Sequence, residues 1–118
     1  MSNAAIYARV SSARQKEQET IRSQTVALHA HDEQLGLDVP EQWVFEDDGQ
    51  SGASLVRPAL EQLRDLVCQV PVDVLLVYSP DRLARKYAYQ ALLIEEFAKA
   101  GTAVVFVKGP RGDSPEDA

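Results

Sequence analysis

Short apolar runs alternate along the chain with longer segments of helical period. Residues 4–10, Ala-Ala-Ile-Tyr-Ala-Arg-Val, predict a first strand apolar enough to lie centrally in a sheet. After the polar stretch Ser11 to Glu19, Ile21, Thr25, Leu28 and Leu35 recur near helical spacing, and Gly36 is suited to end that helix. Residues 42–46, with Trp43, Val44 and Phe45, predict a second strand, and the glycines in Asp48-Gly49-Gln50-Ser51-Gly52 predict a loop after it. Pro58 then occupies the first position of a second helix, with Leu60, Leu63 and Val67 on one face.

The run Val72 to Tyr78 is nearly continuous in apolar residues, as in a strand covered on both faces. Ser79-Pro80-Asp81 reads as a helix start with serine as cap, proline first and an acid in the first turn. Tyr87, Ala91, Ile94 and Ala98, flanked by Leu93 and Phe97, give the following helix an apolar face, and Gly101 closes it. Thr102 to Val107 predicts a last strand. Strands alternating with helices predict an α/β fold, a mostly parallel four- to five-stranded sheet with helices on both faces. In such sheets ligands bind beyond the carboxyl ends of the strands, and Ser11 and the Asp81 segment both follow such ends. Residues 1–110 are expected to form the domain and 111–118 a polar, disordered tail.

At 118 residues, 45% hydrophobic and 25% charged, the chain fits one small domain. No apolar run approaches the roughly 20 residues that span a bilayer, and Met1 to Ala4 lacks the pattern of a secretory signal, so a cytoplasmic, nucleoid-associated protein without membrane contact is expected. The lone Cys68 falls in an apolar row and is expected to be a small buried thiol. There is no Gly-x-x-x-x-Gly-Lys or Gly-x-Gly-x-x-Gly, and no cofactor or metal is expected.

Candidate chemistry sits at the expected strand ends. Arg9, Ser11, Arg57, Asp81, Arg82 and Arg85 supply a hydroxyl, a carboxylate and four guanidiniums. A guanidinium is always cationic and its planar fork matches phosphate oxygens, so several beside one serine fit a site for a phosphodiester. Taken singly, each has an ordinary explanation: a serine capping a turn, an acid in a first helical turn, arginines in solvent.

The combination is more specific. Tyr7-Ala8-Arg9-Val10-Ser11-Ser12-Ala13-Arg14-Gln15 resembles the amino-terminal signature of the serine recombinases, the family of resolvases, invertases, large integrases and related transposases. Asp81-Arg82-Leu83-Ala84-Arg85 resembles its second signature, and Asp48 to Gly52 followed by Arg57-Pro58-Ala59-Leu60 resembles the segment between them. The resemblance implies a site-specific DNA recombinase. Its serine, matched by Ser11, attacks the scissile phosphate to leave a 5′-phosphoserine and a free 3′-hydroxyl; a tetramer built from dimers then exchanges and religates the ends without metal or nucleotide. It also implies that Arg9, Arg57, Arg82 and Arg85 surround the phosphate, that Asp81 orients them or moves the leaving-group proton, and that Gln15, Gln24 and, more weakly, Ser51 support the site.

The long spacing from Gln15 to Gln24, Ser79-Pro80 before Asp81, and Val72 where small resolvases carry glycine resemble the large serine recombinases and their transposase relatives. The family continues beyond the last strand with a long helix and a DNA-binding region, so a shortened catalytic domain is expected here, inactive alone. A net charge of −6 points the same way, since DNA-binding domains are usually basic. The acids at Asp32-Glu33, Glu46-Asp47-Asp48, Glu95-Glu96 and Glu116-Asp117 are expected to lie away from the arginines. The alternatives are a non-enzymatic, receiver-like α/β domain using Asp47, Asp48 and Lys108, and an inactive recombinase fragment with a regulatory role. The first would need acids at the end of the first strand, where Arg9 and Ser11 stand.

Overall fold

The computed structural model describes residues 2–10, 21–48 and 57–107. Ser11, Gln15, Ser51 and Lys108 lie outside the described residues, as does the 111–118 tail. Four parallel strands form one sheet in the order β2-β1-β3-β4, with β1 Ala4–Val10, β2 Val44–Asp48, β3 Val74–Val77 and β4 Ala103–Phe106. The helices are α1 Ile21–Leu35, α2 Pro58–Gln69, α3 Pro80–Leu83 and α4 Tyr87–Lys99. The mostly parallel α/β sheet with helices on both faces is therefore observed, with four strands among the described residues.

The strand order dictates which face each helix covers. The chain moves from β1 to β2 in one direction across the sheet, then returns past β1 to β3 and on to β4. Parallel crossovers are right-handed, so reversing direction transfers the connecting helix to the opposite face. Packing agrees. Leu60, Leu63 and Val67 of α2 and Leu93 and Phe97 of α4 pack with Tyr7, Phe45, Leu75 and Val77 on one face, whereas Leu28 of α1 packs with Ile6 and Leu76 on the other. The reversal falls between β1 and β3, where wound sheets open a crevice at the carboxyl ends.

The predicted helix stops hold in detail. Gly36 (φ 70°) ends α1 and Gly101 (φ 89°) ends α4, both in the left-handed region that glycine enters without strain. At each, the residue after glycine bonds back to a carbonyl five residues earlier, Leu37 N to Asp32 O at 2.9 Å and Thr102 N to Phe97 O at 2.8 Å.

Other expectations are corrected. Residues 41–43 form a 3₁₀ turn, so the second strand runs from Val44 to Asp48. The segment after β3 is two helices, broken after α3 where Ala84 is extended and Gln90 Nε2 donates to its carbonyl at 2.7 Å. Helix α4 buries Leu93 and Phe97, while Tyr87, Ile94, Ala91 and Ala98 are exposed. The flanking residues, not the expected stripe, meet the sheet. Ser79 does not cap through its hydroxyl, which donates to Asp81 Oδ1 at 2.6 Å. Cys68 is exposed. Among the described residues no helix is long and apolar enough to cross a membrane.

Candidate active site

The carboxyl end of β1 and the α3 turn after β3 meet through arginines. Arg9, 0% exposed, donates from Nη2 to the Asp81 carbonyl at 2.8 Å and from Nε to the Arg82 carbonyl at 3.1 Å. Arg57, 1% exposed and immediately before α2, donates from Nη2 to the Leu83 carbonyl at 2.6 Å. Three successive carbonyls of one short helix are thus held by two arginines from distant parts of the chain. Carbonyls in a last helical turn have no intrahelical partner, and a cation beside them also meets the negative end of the helix dipole.

Arg57 has a second attachment. Its Nη1 donates to the Tyr7 hydroxyl at 3.1 Å, and its guanidinium lies 5.8 Å from the centre of the Tyr7 ring. Its Nε is buried and has no hydrogen-bond partner among the described residues. The Tyr7 hydroxyl in turn donates to Asp47 Oδ2 at 2.7 Å. Asp47 also accepts from the backbone N–H groups of Ala59 (2.9 Å) and Leu60 (3.0 Å), closing the first turn of α2. Burial pushes the Tyr7 hydroxyl well above its ordinary pKa; the Arg57 charge opposes this, and the bond to Asp47 adds to it. Tyr7 is therefore neutral, with its proton committed to the carboxylate.

Gln24 on α1 is buried and faces the same strand end. Its Oε1 accepts from Arg9 N at 3.3 Å and its Nε2 donates to Arg9 O at 3.0 Å. β3 pairs with β1 only as far as Tyr7, opposite Val77. The Gln24 amide supplies the next rung of the ladder, meeting a backbone N–H and C=O beyond the last residue that β3 pairs.

The structure thus brings together Arg9, Arg57, Asp81, Arg82 and, by its backbone contact, Gln24. Arg82 is 5% exposed, whereas Asp81 is exposed and lies 4.0 Å from Arg82 Nε through Oδ2. Arg85 is exposed, two residues beyond the turn. β1 ends at Val10, one residue before Ser11. Sequence reading missed Asp47 as part of this network. It was expected with acids away from the arginines, yet it is 3% exposed and is joined to Arg57 through Tyr7. The available signal was parity: Asp47 pairs in register with Arg9 and is two residues after the buried Phe45, hence on the same sheet face.

Among the described residues no three His, Cys, Asp or Glu side chains are grouped to hold a metal ion. A surface groove of about 340 Å³, lined by Glu61, Arg64, Asp65, Cys68 and Glu96, contains none of the residues above.

Comparison with known proteins agrees with this arrangement. The model of the family described as "Resolvase, N terminal domain" matches residues 4–118. The N-terminal catalytic domain of TP901-1 integrase has a TM-score of 0.79 at 31% identity, over 89% of this chain and 76% of that one. The C-terminal catalytic domain of ISC1926 TnpA, an IS607-like serine recombinase, has a TM-score of 0.78 at 35% identity, over 92% of this chain and 72% of that one. A Bacillus subtilis (strain 168) protein, provisionally named a DNA recombinase, is 38% identical over 72 residues, 61% of this chain. The aligned part is 14% of that protein's own length.

Proposed function

Since the chain belongs to the resolvase N-terminal domain family, the catalytic domain of serine recombinases, we propose that it cleaves and rejoins DNA through Ser11. The observation that supports this most directly is the gathering of Arg9, Arg57 and the Asp81–Leu83 turn at the end of the strand that leads into Ser11. A receiver-like domain would need acids at the end of β1, which carries Arg9 instead.

In the proposed reaction the Ser11 hydroxyl oxygen bonds to phosphorus, the bond to the 3′-oxygen breaks, and that oxygen takes up a proton. One ester replaces another. The phosphoserine therefore retains the bond energy needed for religation, and no nucleotide is consumed. A serine hydroxyl is almost fully protonated at neutral pH, so attack needs both removal of its proton and stabilisation of the charge that develops on the phosphate. Arg82 and Arg85 would supply donors from the turn and the residues just after it. Arg9 and Arg57 add positive charge from the interior, where a low dielectric makes it more effective, and hold the turn by its carbonyls. Loss of one donor to a developing oxyanion typically costs about 2.7–4 kcal/mol, roughly 100- to 1000-fold in rate. Asp81, exposed and hydrogen-bonded by Ser79, is available to orient Arg82 or to carry the leaving-group proton. Gln15 and Ser51 are proposed to support the site from the segments after β1 and β2. DNA is the proposed substrate, and strand exchange would take place in a tetramer built from two dimers, with DNA-binding surface outside these 118 residues.

The test is covalent capture. The intact protein carrying this domain, given DNA with its recombination site, is expected to form a protein–DNA adduct through a 5′-phosphoserine. The adduct should disappear in Ser11→Ala while DNA binding survives. An adduct that persists in that variant would remove Ser11 from the role.

A further inference from the structure

β3 ends at Val77, and Ser79 is the residue before α3. A serine in that position ordinarily accepts a backbone N–H of the first helical turn through its hydroxyl. Here that bond is not made. Pro80 has no N–H to offer, and Arg82 N donates instead to the Ser79 carbonyl at 3.0 Å. The hydroxyl is thus left to act as a donor, and it donates to Asp81 Oδ1 at 2.6 Å, within the short range of a hydroxyl bonded to a carboxylate.

The two partners differ in their surroundings. Ser79 is 8% exposed and follows an inner strand of the sheet, whereas the Asp81 side chain is 58% exposed on a helix of four residues. An exposed carboxylate in that setting would otherwise pass among rotamers with its two oxygens equivalent. The bond removes the equivalence: Oδ1 is taken by Ser79, and Oδ2 remains on the side of Arg82, 4.0 Å from its Nε. Arg9 and Arg57 hold the turn by the carbonyls of Asp81, Arg82 and Leu83, which fixes the backbone but leaves the Asp81 side chain free to rotate. Ser79 supplies the missing restraint. It lies outside the Asp81 to Arg85 signature, and so outside the residues that the family resemblance assigns to the site.

We propose that Ser79 is a positioning residue for the reaction, holding Oδ1 of Asp81 so that Oδ2 alone is presented, beside Arg82, to the scissile phosphate. This rests on the recombinase reading above. Ser79 acts through Asp81 without touching DNA; a displacement of about 1 Å in a reacting group can cost on the order of 100-fold.

The experiment is a double-mutant cycle between Ser79→Ala and Asp81→Ala in the intact protein. It reads the single-turnover rate of covalent adduct formation on site-containing DNA at saturating protein, with DNA affinity and thermal unfolding measured alongside. Ser79→Ala is expected to slow adduct formation about tenfold or more while DNA affinity stays within about twofold of wild type. In the Asp81→Ala background it should slow the reaction by no more than about twofold further. A Ser79→Ala rate within about twofold of wild type, or an effect that multiplies in full with Asp81→Ala, overturns the proposal, because a hydroxyl that only stabilises the fold acts independently of the Asp81 carboxylate. Should Ser79→Ala fail to fold, Ser79→Cys, whose thiol is a weak donor, enters the same cycle with the same two outcomes. Where Asp81→Ala reacts too slowly to time, Asp81→Glu, which displaces the carboxylate by one methylene, takes its place. A wild-type protein that forms no adduct at all fails the recombinase reading itself, whereas normal wild-type cleavage with an indifferent Ser79→Ala fails this inference alone.

Discussion

At the residue scale, Gln24 separates two meanings of an active-site glutamine. The family resemblance implies a supporting role in the site, and the structure gives it both ends of the Arg9 peptide. The amide keeps a second N–H and a second lone pair, but Gln24 is fully buried and its fixed contacts are to the backbone of Arg9. Gln24→Leu should therefore lower stability by about 1–3 kcal/mol, since it removes two buried side-chain-to-backbone hydrogen bonds. The measurement is the urea midpoint of the variant against wild type; an unchanged midpoint would mean that the pairing contributes nothing. Tyr7 makes a second residue-scale case, through pH. Its folded pKa is raised above the ordinary tyrosine value of 10.0, chiefly by burial. The unfolded chain therefore releases this proton at lower pH than the folded one does. The contribution of Tyr7 is complete below about pH 10 and falls as pH rises beyond it, by at most about 1.4 kcal/mol per pH unit. The stability of Tyr7→Phe should lack this part of the alkaline decline. Parallel alkaline curves for the two proteins would contradict the assignment of Tyr7 as a buried neutral donor.

At the element scale, the sequence was legible wherever local chemistry and tertiary packing agreed. The apolar runs at 4–10 and 72–78 lie over β1 and β3, and Gly36 and Gly101 stop α1 and α4, because a buried strand and a left-handed turn each leave a local trace. Pro58 likewise marks the first position of α2. Failures came where two neighbouring elements share one pattern. The stretch from Ser79 to Gly101 keeps a helical spacing throughout, yet the extended Ala84 and Lys86 break it into two helices, and the second buries Leu93 and Phe97. That break is tertiary in origin: the end of α3 must present carbonyls to Arg9 and Arg57. The site divided the same way. Arg9, Arg57, Asp81 and Arg82 were legible as a set because arginines are unusual at buried strand ends. Asp47 was not, because an acid in the run Glu46-Asp47-Asp48 looks like solvated charge until the register pairs it with Arg9. The exposure of Cys68 and the α2–α4 pair of Arg64 with Glu96, bidentate at 2.7 Å, depend on how the two helices face each other. Nothing local to α2 encodes that.

At the scale of the whole molecule, topology and charge pull in different directions. The crossover reversal between β1 and β3 is what lets residues some 70 positions apart meet at one end of the sheet, since both flanking strands deliver their carboxyl ends there. The net charge of −6, by contrast, surrounds this cationic cluster with an anionic body measuring 38 × 34 × 27 Å. At about 0.1 M salt the Debye length is about 10 Å, so DNA at the carboxyl ends would experience the nearby arginines while charges across the molecule are largely screened. Lowering the salt strengthens attraction to the arginines and unmasks repulsion from the distant acids at the same time. Two of the four candidate arginines, Arg9 and Arg57, are moreover buried with donors on backbone carbonyls. Neutralising few phosphates releases few counterions, with a slope near −0.9 per phosphate for duplex DNA, so the 118-residue chain should bind DNA with micromolar or weaker affinity and a log–log salt slope of magnitude about 2 to 3. Fluorescence anisotropy with a labelled duplex over a range of salt concentrations measures both quantities. Nanomolar binding with a slope of roughly 6 or more would require a cationic surface far larger than this cluster.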